Sequence, residues 1–206
     1  MRDIQDKVRD YYSTKLSQFG PAPLGVDWPS MASQYLRFVQ LLRVCDFGAR
    51  FSLNDFGCGY GALLAYLAWR HPEASIDYHG IDISPSMLEA ARCLWADNKG
   101  ATFSVGDACE TAADYTLASG VFNVRLGILD SDWEIYIEDV LGNLRRRSRR
   151  GFAANFMLPW DDGHREDALY RAPPERWIAF CRSVLCCDTV LISDYGLREF
   201  TLLCRI

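Results

Sequence analysis

The sequence predicts a doubly wound α/β fold, whose seven strands are mostly parallel and finish in an antiparallel last strand. Two patterns support this prediction. From Phe51 onward, apolar segments of strand length alternate with segments of helical periodicity, which is typical of a parallel sheet with right-handed crossovers. The chain then closes on two strand-like segments, 189–193 and 199–206, on either side of a turn at Gly196, which predicts a hairpin.

The composition fits one sizeable folded domain. The chain has 206 residues, of which 50% are hydrophobic, enough to build a substantial core and to exclude a disordered or fibrous protein. Its net charge of -5 argues against a general binder of nucleic acid or of anionic membranes, because both partners require a basic surface. We therefore expect neither nucleic acid nor membrane among its partners.

The eight cysteines indicate small buried side chains in a reducing compartment. They form no CxxC pair, and none has a histidine at the spacing of a zinc site, so we expect no metal. The N-terminal residues lack the apolar core of a signal peptide, and no apolar segment approaches the length of a membrane helix. These patterns predict a cytoplasmic protein.

Residues 1–48 predict a helical cap or lid that precedes the first strand. Apolar residues recur at helical spacing from 3 to 18, and a second helix is expected from Ser30 or Met31 to about Asp46. The second helix offers five apolar side chains for packing, namely Tyr35, Leu36, Val39, Leu42 and Val44. A loop rich in proline and glycine, around Asp27-Trp28, connects the two helices.

Residues 49–206 predict the alternating core of the same single domain. The strands are expected at 51–56, 75–81, 102–105, 115–121 and 151–157, and the helices at 61–70, 85–96, 133–147 and 174–182. Ser84 is expected to cap the helix that begins at Pro85, because proline is favoured at the first helical position.

Three glycines follow the first strand at alternate positions, in the segment 55–61. Glycine is needed where a turn demands backbone angles that a side chain forbids, and where a ligand approaches the main chain. The helix that follows presents unpaired N–H groups and a positive dipole end to such a ligand. Gly57, Gly59 and Ala62 also satisfy the dinucleotide-binding pattern, so the glycine loop alone permits any adenine-containing cofactor.

Polar residues follow the other predicted parallel strands. Asp82 ends the second strand, Asp107 follows the third, and Ser119-Gly120 ends the fourth. The carboxyl ends of parallel strands share one rim, where ligands bind. The Asp82 carboxylate could accept both hydroxyl groups of a ribose, with a helix cap as the alternative. Asp107 could accept from an adenine amino group, with a plain turn as the alternative.

Taken together, these segments resemble the class I S-adenosylmethionine-dependent methyltransferases. Segment 55–61 matches the first motif of that family, an acidic residue before G-x-G-x-G, while 80–88 is similar to its second motif and 106–108 to its third. The resemblance covers about residues 51–206. It implies a Rossmann-like fold in which residues 49–206 form the cofactor-binding core. It also implies the cofactor S-adenosyl-L-methionine, with S-adenosyl-L-homocysteine as product, bound by Asp55, Gly57, Cys58, Gly59, Gly61, Asp82, Ile83, Met87, Asp107, Ala108 and Ser119.

The methyl acceptor is expected to be a small molecule. The fourth strand lacks the Asn/Asp-Pro-Pro-aromatic motif of enzymes that methylate nucleic-acid amines or glutamine amides, which favours oxygen over nitrogen. A general base is needed only when the acceptor must lose a proton. His164, in the loop after the fifth strand, is the candidate base, and an exposed loop histidine is the alternative. The candidate acceptor-binding residues are Tyr11, Tyr12, Trp28, Asn123 and Arg125.

Two other functions stay open from the sequence. A regulatory or scaffold protein that kept the cofactor pocket and lost catalysis would carry the same motifs. A nicotinamide-dependent reductase is less favoured, because the chain has no segment for a separate substrate domain. The sequence makes no prediction about the oligomeric state.

Overall fold

The computed structural model describes residues 2–160, 162 and 167–206. Its strands are β1 Phe51–Phe56, β2 Ile76–Asp82, β3 Ala101–Val105, β4 Ala113–Ala118, β5 Ser148–Met157, β6 Asp188–Ile192 and β7 Glu199–Arg205. Its helices are α1 Arg2–Phe19, α2 Met31–Leu41, α3 Ala62–Arg70, α4 Pro85–Leu94, α5 Asp130–Arg147 and α6 Pro174–Ser183. Short 3-10 turns lie at Pro23–Val26 and Leu42–Val44.

The seven strands form one sheet in the order β3-β2-β1-β4-β5-β7-β6. Strands β1 to β5 are parallel, whereas β7 is antiparallel to both of its neighbours, β5 and β6. The predicted doubly wound sheet with an antiparallel last strand is therefore confirmed. Strand order reverses between β1 and β4, which is where an open parallel sheet binds its ligands.

Each face of the sheet is covered by its own apolar core. On one face, α2 and α3 pack against β1 through residues such as Leu41, Leu53 and Leu63, which are all but inaccessible to solvent. On the other face, α5 and α6 bury Trp133 and Trp177 completely. Burial of this much aromatic and aliphatic surface on both faces fixes the sheet and leaves the strand ends to the loops.

Strand β4 ends earlier than the sequence predicts. The predicted strand is 115–121, but the observed strand stops at Ala118. The physical reason is Gly120, whose positive φ of 76° turns the chain out of the sheet and directs its N–H to the side chain of Asn155. The residues after Ala118 therefore form a loop at the rim of the sheet.

Of the five apolar residues expected to pack, Leu42 and Val44 are buried and Tyr35 packs against the core, but helix α2 also buries polar residues. Gln34, Arg37 and Phe38 are buried, whereas Val39 is 42% exposed. The polar residues turn inward because they find partners there, and Arg37 pairs with Glu199 on β7. The helix also stops at Leu41, because a 3-10 turn replaces its predicted last residues.

Within the described part of the chain, no helix combines the length and the apolar character that crossing a membrane requires.

Candidate active site

The glycine loop between β1 and α3 has the backbone that the sequence predicts. Gly57, Gly59 and Gly61 have φ values of 74°, 55° and 85°, which side chains rarely adopt. The N–H groups of Gly57 and Cys58 both donate to the carbonyl of Ile81, at 2.8 and 3.0 Å, and so tie the loop to β2. The loop lies across the carboxyl ends of two neighbouring strands.

The first turn of α3 opens toward the same space. Gly61 occupies the N-cap position and offers no side chain to the helix, and the residues that begin the helix, Ala62 and Leu63, line the pocket. Unpaired N–H groups at a helix start carry partial positive charge and attract an anionic group. Gly61 itself is required by packing, since a Cβ there would lie 2.7 Å from Nε1 of Trp95.

Asp82 is held in the pocket by two backbone N–H groups. Its Oδ2 accepts from Gly59 and its Oδ1 from Ser84, both at 2.8 Å. Ser84 caps α4 through its own hydroxyl oxygen, which accepts from the N–H of Met87 at 3.3 Å. The helix therefore has its cap already, and burial raises the pKa of the Asp82 carboxyl above its ordinary value.

Asp55 is the deepest carboxyl group of the site. It is 2% exposed, and the hydroxyl of Tyr78 donates to its Oδ2 at 2.5 Å. Burial raises the pKa of this carboxyl to about 7, although the hydrogen bond from Tyr78 opposes the shift. Asp55 can therefore change its protonation state near neutral pH, and a positive ligand group beside it would favour the ionised form.

Loops after β3 and β4 complete the rim. Asp107 accepts a hydrogen bond from Nε2 of Gln5, on α1, at 2.7 Å. The Oγ atom of Ser119 is buried and has no hydrogen-bond partner among the described residues. A buried hydroxyl without a partner is costly, so its position at the wall of a pocket indicates a polar ligand group.

Helix α1 forms a roof over this rim, close to Asp107 and Ser84. Its residues Gln5, Val8 and Tyr12 line the pocket from above, and the Ser13 hydroxyl lies 2.9 Å from that of Ser84. Burial keeps the pKa of the Tyr12 phenol well above its ordinary value, so this hydroxyl stays protonated and available as a donor.

A second wall, on the β4 side, is mostly aromatic. Trp28, Phe38 and Tyr60 line it together with Val26 and the amide of Gln34. The Tyr60 hydroxyl donates to Oε1 of Gln34 at 3.3 Å. Between this wall, the roof and the strand ends lies about 940 Å³ of space, including the part that is open to solvent.

The pocket brings together most of the residues that the sequence singles out. Those that line it are Tyr12, Trp28, Asp55, Gly57, Cys58, Gly59, Asp82, Ile83, Met87, Asp107 and Ser119. Gly61 and Ala108 stand beside it without lining it. His164 lies outside the described residues. The lining residues that the sequence did not predict as site residues include Gln5, Val8, Val26, Gln34, Phe38 and Tyr136.

Besides Tyr11, two predicted acceptor-binding residues, Asn123 and Arg125, do not line the pocket. Asn123 is 4% exposed; its N–H donates to the carbonyl of Gly120 at 3.4 Å, and its own carbonyl accepts from the N–H of Tyr170 at 2.8 Å. The Arg125 guanidinium donates to the carbonyl groups of Ile128 and Leu169. Both side chains belong to the loop between β4 and α5, which packs against residues 167–172.

Tyr11 does not line the pocket, unlike its neighbour Tyr12. Tyr11 and Lys15 have the spacing of the catalytic Tyr-x-x-x-Lys pair of nicotinamide-dependent reductases. Here the Tyr11 hydroxyl donates to Oδ2 of Asp27 at 2.5 Å, and the Lys15 ammonium pairs with Oδ1 at 2.7 Å. Neither side chain lines the pocket, so the pair anchors α1 to the loop before α2.

Across residues 2–160, 162 and 167–206, no group of three or more His, Cys, Asp or Glu residues has an arrangement that could hold a metal ion.

Comparisons with known proteins agree with this fold. A family model described as a methyltransferase domain matches residues 54–147. A relative from Mycobacterium tuberculosis (strain ATCC 25618 / H37Rv), "Putative methyltransferase Rv1506c", is 42% identical over 165 residues, which cover 80% of this chain and 98% of the relative.

Solved structures share the fold at low identity. The magnesium protoporphyrin IX methyltransferase ChlM from Synechocystis PCC 6803, with bound S-adenosylhomocysteine, has a TM-score of 0.71 at 16% identity, covering 98% of this chain and 99% of that one. Phosphoethanolamine N-methyltransferase 1 of Haemonchus contortus has a TM-score of 0.69 at 13% identity, covering 98% and 48%. The pyocyanin biosynthetic protein PhzM has a TM-score of 0.62 at 17% identity, covering 85% and 56%.

The fold, the glycine loop and the acidic strand ends define a methyltransferase of the Rossmann-like type. The chain belongs to the class I S-adenosylmethionine-dependent methyltransferases.

Proposed function

We propose that this methyltransferase transfers the methyl group to an oxygen or a nitrogen atom of a small molecule bound in the described pocket. The observation that carries the proposal is the enclosure of the pocket between the strand ends, the α1 roof and the aromatic wall. Small-molecule sites are concave and lined mainly by apolar and aromatic side chains, with a few polar groups that fix the orientation of the ligand. The lining of this pocket has that character, with Trp28, Phe38 and Tyr60 on one side and the Asp55 and Asp82 carboxyl groups on the other.

The residues present fit the cofactor, group by group. The Asp82 carboxylate would accept from the ribose hydroxyls, and that of Asp107 from the adenine amino group. Ile83 and Met87 would flank the adenine ring, since both line the pocket beside Asp82.

The methionyl half of the cofactor would lie against the glycine loop. Gly57 and Gly59 would let the main chain approach it, and Asp55 would lie on the side of its ammonium group. The buried Oγ of Ser119, which lacks a partner in the described chain, supports a polar ligand group at this end. Cys58 contributes a small buried wall.

The cofactor supplies a methyl group activated by a sulfonium. For this chemistry the protein contributes mainly orientation and exclusion of water. Tyr12 and the aromatic wall would orient the acceptor toward that methyl group and keep water out of the pocket. The acceptor proton then leaves to a base or to solvent. His164 is our candidate for that base. We also propose that no metal takes part.

Relatives of the same fold support both acceptor atoms. They include an enzyme named as a phosphoethanolamine N-methyltransferase and another named as an O-methyltransferase family 2 protein in complex with apigenin. Our preference for oxygen rests on the absence of the amide-type motif after β4.

A methylation assay tests the proposal directly. The protein is incubated with methyl-labelled S-adenosylmethionine and a library of metabolites, and both labelled product and S-adenosylhomocysteine are quantified. We expect one acceptor class to take up label in proportion to the S-adenosylhomocysteine formed. Binding of the cofactor without transfer to any small molecule would contradict the proposal and favour the non-catalytic alternative.

A further inference from the structure

Five side chains and backbone groups form a closed ring of contacts behind the aromatic wall. In order around the ring they are Trp28, Gly120, Asn155, Glu199 and Arg37. They come from the loop before α2, the end of β4, β5, β7 and α2. We call this set the clamp.

The charged half of the clamp is a buried ion pair. Arg37 donates from Nε to Oε2 of Glu199 at 2.8 Å and from a terminal nitrogen to Oε1, and these side chains are only 6% and 5% exposed. Arg37 also donates to the carbonyl of Ser33 at 2.7 Å. A buried ion pair is seldom more stabilising than apolar residues of the same volume, so its value here lies in the geometry that it enforces.

The neutral half of the clamp reaches the rim of the sheet. Asn155 is fully buried, and its Nδ2 donates to Oε2 of Glu199 at 2.9 Å. Its Oδ1 accepts from the N–H of Gly120 at 2.8 Å. The turn that ends β4 is thereby fixed to the same carboxylate that holds Arg37.

Trp28 closes the ring between these two halves. The Arg37 guanidinium carbon lies 3.8 Å from the centre of the indole ring, which is stacking distance. The edge of the indole rests on Gly120, since a Cβ at that position would lie 2.4 Å from Cζ2 of Trp28. The ring is therefore held on one face by Arg37 and along one edge by the backbone.

Two members of the clamp, Trp28 and Gly120, line the pocket, whereas Arg37, Asn155 and Glu199 do not. The residue before Trp28 is Asp27, which anchors α1 through Tyr11 and Lys15. The clamp thus fixes the aromatic wall and the segment from which the α1 roof is held.

We propose that Arg37, Asn155 and Glu199 are positioning residues of the methyltransferase: they hold Trp28 against Gly120 and so set the shape of the pocket on the β4 side. This inference rests on the proposed function of the pocket. It predicts that ligand affinity depends on the clamp separately from the stability of the fold.

The first test replaces the ion pair by apolar residues, in Arg37→Met/Glu199→Leu. The gain from removing buried charge and the cost of leaving the Asn155 amide without its acceptor are of similar size, so we expect the melting temperature to stay within about 5 °C. We expect the dissociation constant of S-adenosylhomocysteine, measured by calorimetry, to rise about tenfold. The wall is then less ordered in the free protein, and binding must supply the free energy that orders it. An unchanged dissociation constant in the folded variant would overturn the proposal.

A matched control uses an ion pair at the other end of the same strands. Arg149 and Asp114 join the starts of β5 and β4 at 3.0 Å, far along the strands from the pocket rim. Asp114→Leu/Arg149→Met should lower the melting temperature and leave the affinity for S-adenosylhomocysteine unchanged. If this control weakens the affinity as strongly as the first variant, the effect is one of stability and the proposal fails.

A double-mutant cycle tests the route through Trp28 and does not depend on the apolar variant folding. Arg37→Lys keeps the buried charge balanced but loses the planar face and the two-pronged pairing with Glu199. We expect it to weaken S-adenosylhomocysteine binding at least about threefold in the wild-type background and less than about twofold in a Trp28→Leu background. Equal changes in both backgrounds would overturn the proposal. Failure of the wild-type protein to bind S-adenosylhomocysteine would instead contradict the proposed function.

Discussion

The backbone N–H of Gly59 donates a hydrogen bond of 2.8 Å to Oδ2 of Asp82. The glycine loop after β1 and the carboxyl group at the end of β2 are therefore one structural unit. Ser84 supplies the second N–H to Asp82 and caps α4 with its own hydroxyl. The carboxylate is thus oriented by the backbone of two loops while its remaining acceptor capacity faces the pocket.

Substitution of Asp82 by asparagine should weaken the binding of S-adenosylhomocysteine, the product formed from the cofactor. We expect Asp82→Asn to reduce the affinity for S-adenosylhomocysteine by about 1.5 to 3 kcal/mol, the scale of hydrogen bonds to a charged group. Calorimetry measures this change. Asp77→Asn is the matched control, because Asp77 lies on the same strand and pairs with Arg50 at the surface. Equal affinities in the two variants would show that Asp82 does not bind the ribose.

Asp55 should make both stability and cofactor binding depend on pH. Its pKa is about 7 in the folded protein and about 3.9 in an unfolded chain, so the folded state binds the proton more tightly. Its contribution to stability is complete below about pH 4 and is lost as the pH rises through about 7. We expect Asp55→Asn to raise the melting temperature relative to wild type more at pH 8 than at pH 5.

The Asp55→Asn substitution should weaken the binding of S-adenosylmethionine, although it stabilises the fold. Because the ionised carboxylate would lie beside the ammonium group, we expect wild-type affinity for S-adenosylmethionine to increase from pH 6 to pH 8, with uptake of the ligand accompanied by proton release. Calorimetry in buffers of different ionisation enthalpy detects the released proton. A wild-type affinity that does not change with pH, and matches that of Asp55→Asn, would contradict this role.

The α1 roof should control the rate of cofactor exchange. Two side-chain hydrogen bonds hold it across the rim, from Gln5 to Asp107 and between Ser13 and Ser84. We expect Gln5→Ala/Ser13→Ala to increase the dissociation rate of S-adenosylhomocysteine several-fold in stopped-flow measurements. Arg9→Ala is the control, because the hydrogen bonds of Arg9 go to Asp6 and Asp10 of the same helix. An equal dissociation rate in all three proteins would show that the roof bonds do not retain the ligand.

His164 is tested by the pH dependence of turnover once an acceptor is known. If it is the base, His164→Ala should lower kcat by about 10² or more at neutral pH, with the affinity for S-adenosylmethionine unchanged. His79→Ala provides the comparison, since His79 lies on β2 and bonds to Ser104. Turnover that is intact across the pH range would exclude His164 as the base.

The predictions that succeeded rest on local geometry. The glycines of 57–61 adopt positive φ because the strand-to-helix turn requires it, and this requirement can be read from the sequence alone. The alternation of apolar segments likewise predicts the order of strands and helices. Apart from the end of α2, the predicted bounds lie within three residues of the observed ones. Asp82 falls at the rim because it ends a parallel strand.

Apart from Trp28, the aromatic wall was not predicted, because its arrangement depends on partners that are distant in the sequence. Arg37 turns inward to reach Glu199, which is 162 positions away. Gln34 is also buried, and the apolar pattern of α2 gives no sign of this because Gln34 is polar. Similarly, the raised pKa of the Asp55 carboxyl comes from its burial in the folded protein, which the hydrogen bond from Tyr78 on a neighbouring strand opposes.

The most direct test of the central claim is a calorimetric titration of the wild-type protein with S-adenosylhomocysteine and with NADH under the same conditions. The pocket described above predicts saturable binding of S-adenosylhomocysteine, one molecule per chain, and no binding of NADH. Tight binding of NADH, with no heat from S-adenosylhomocysteine, would contradict the account.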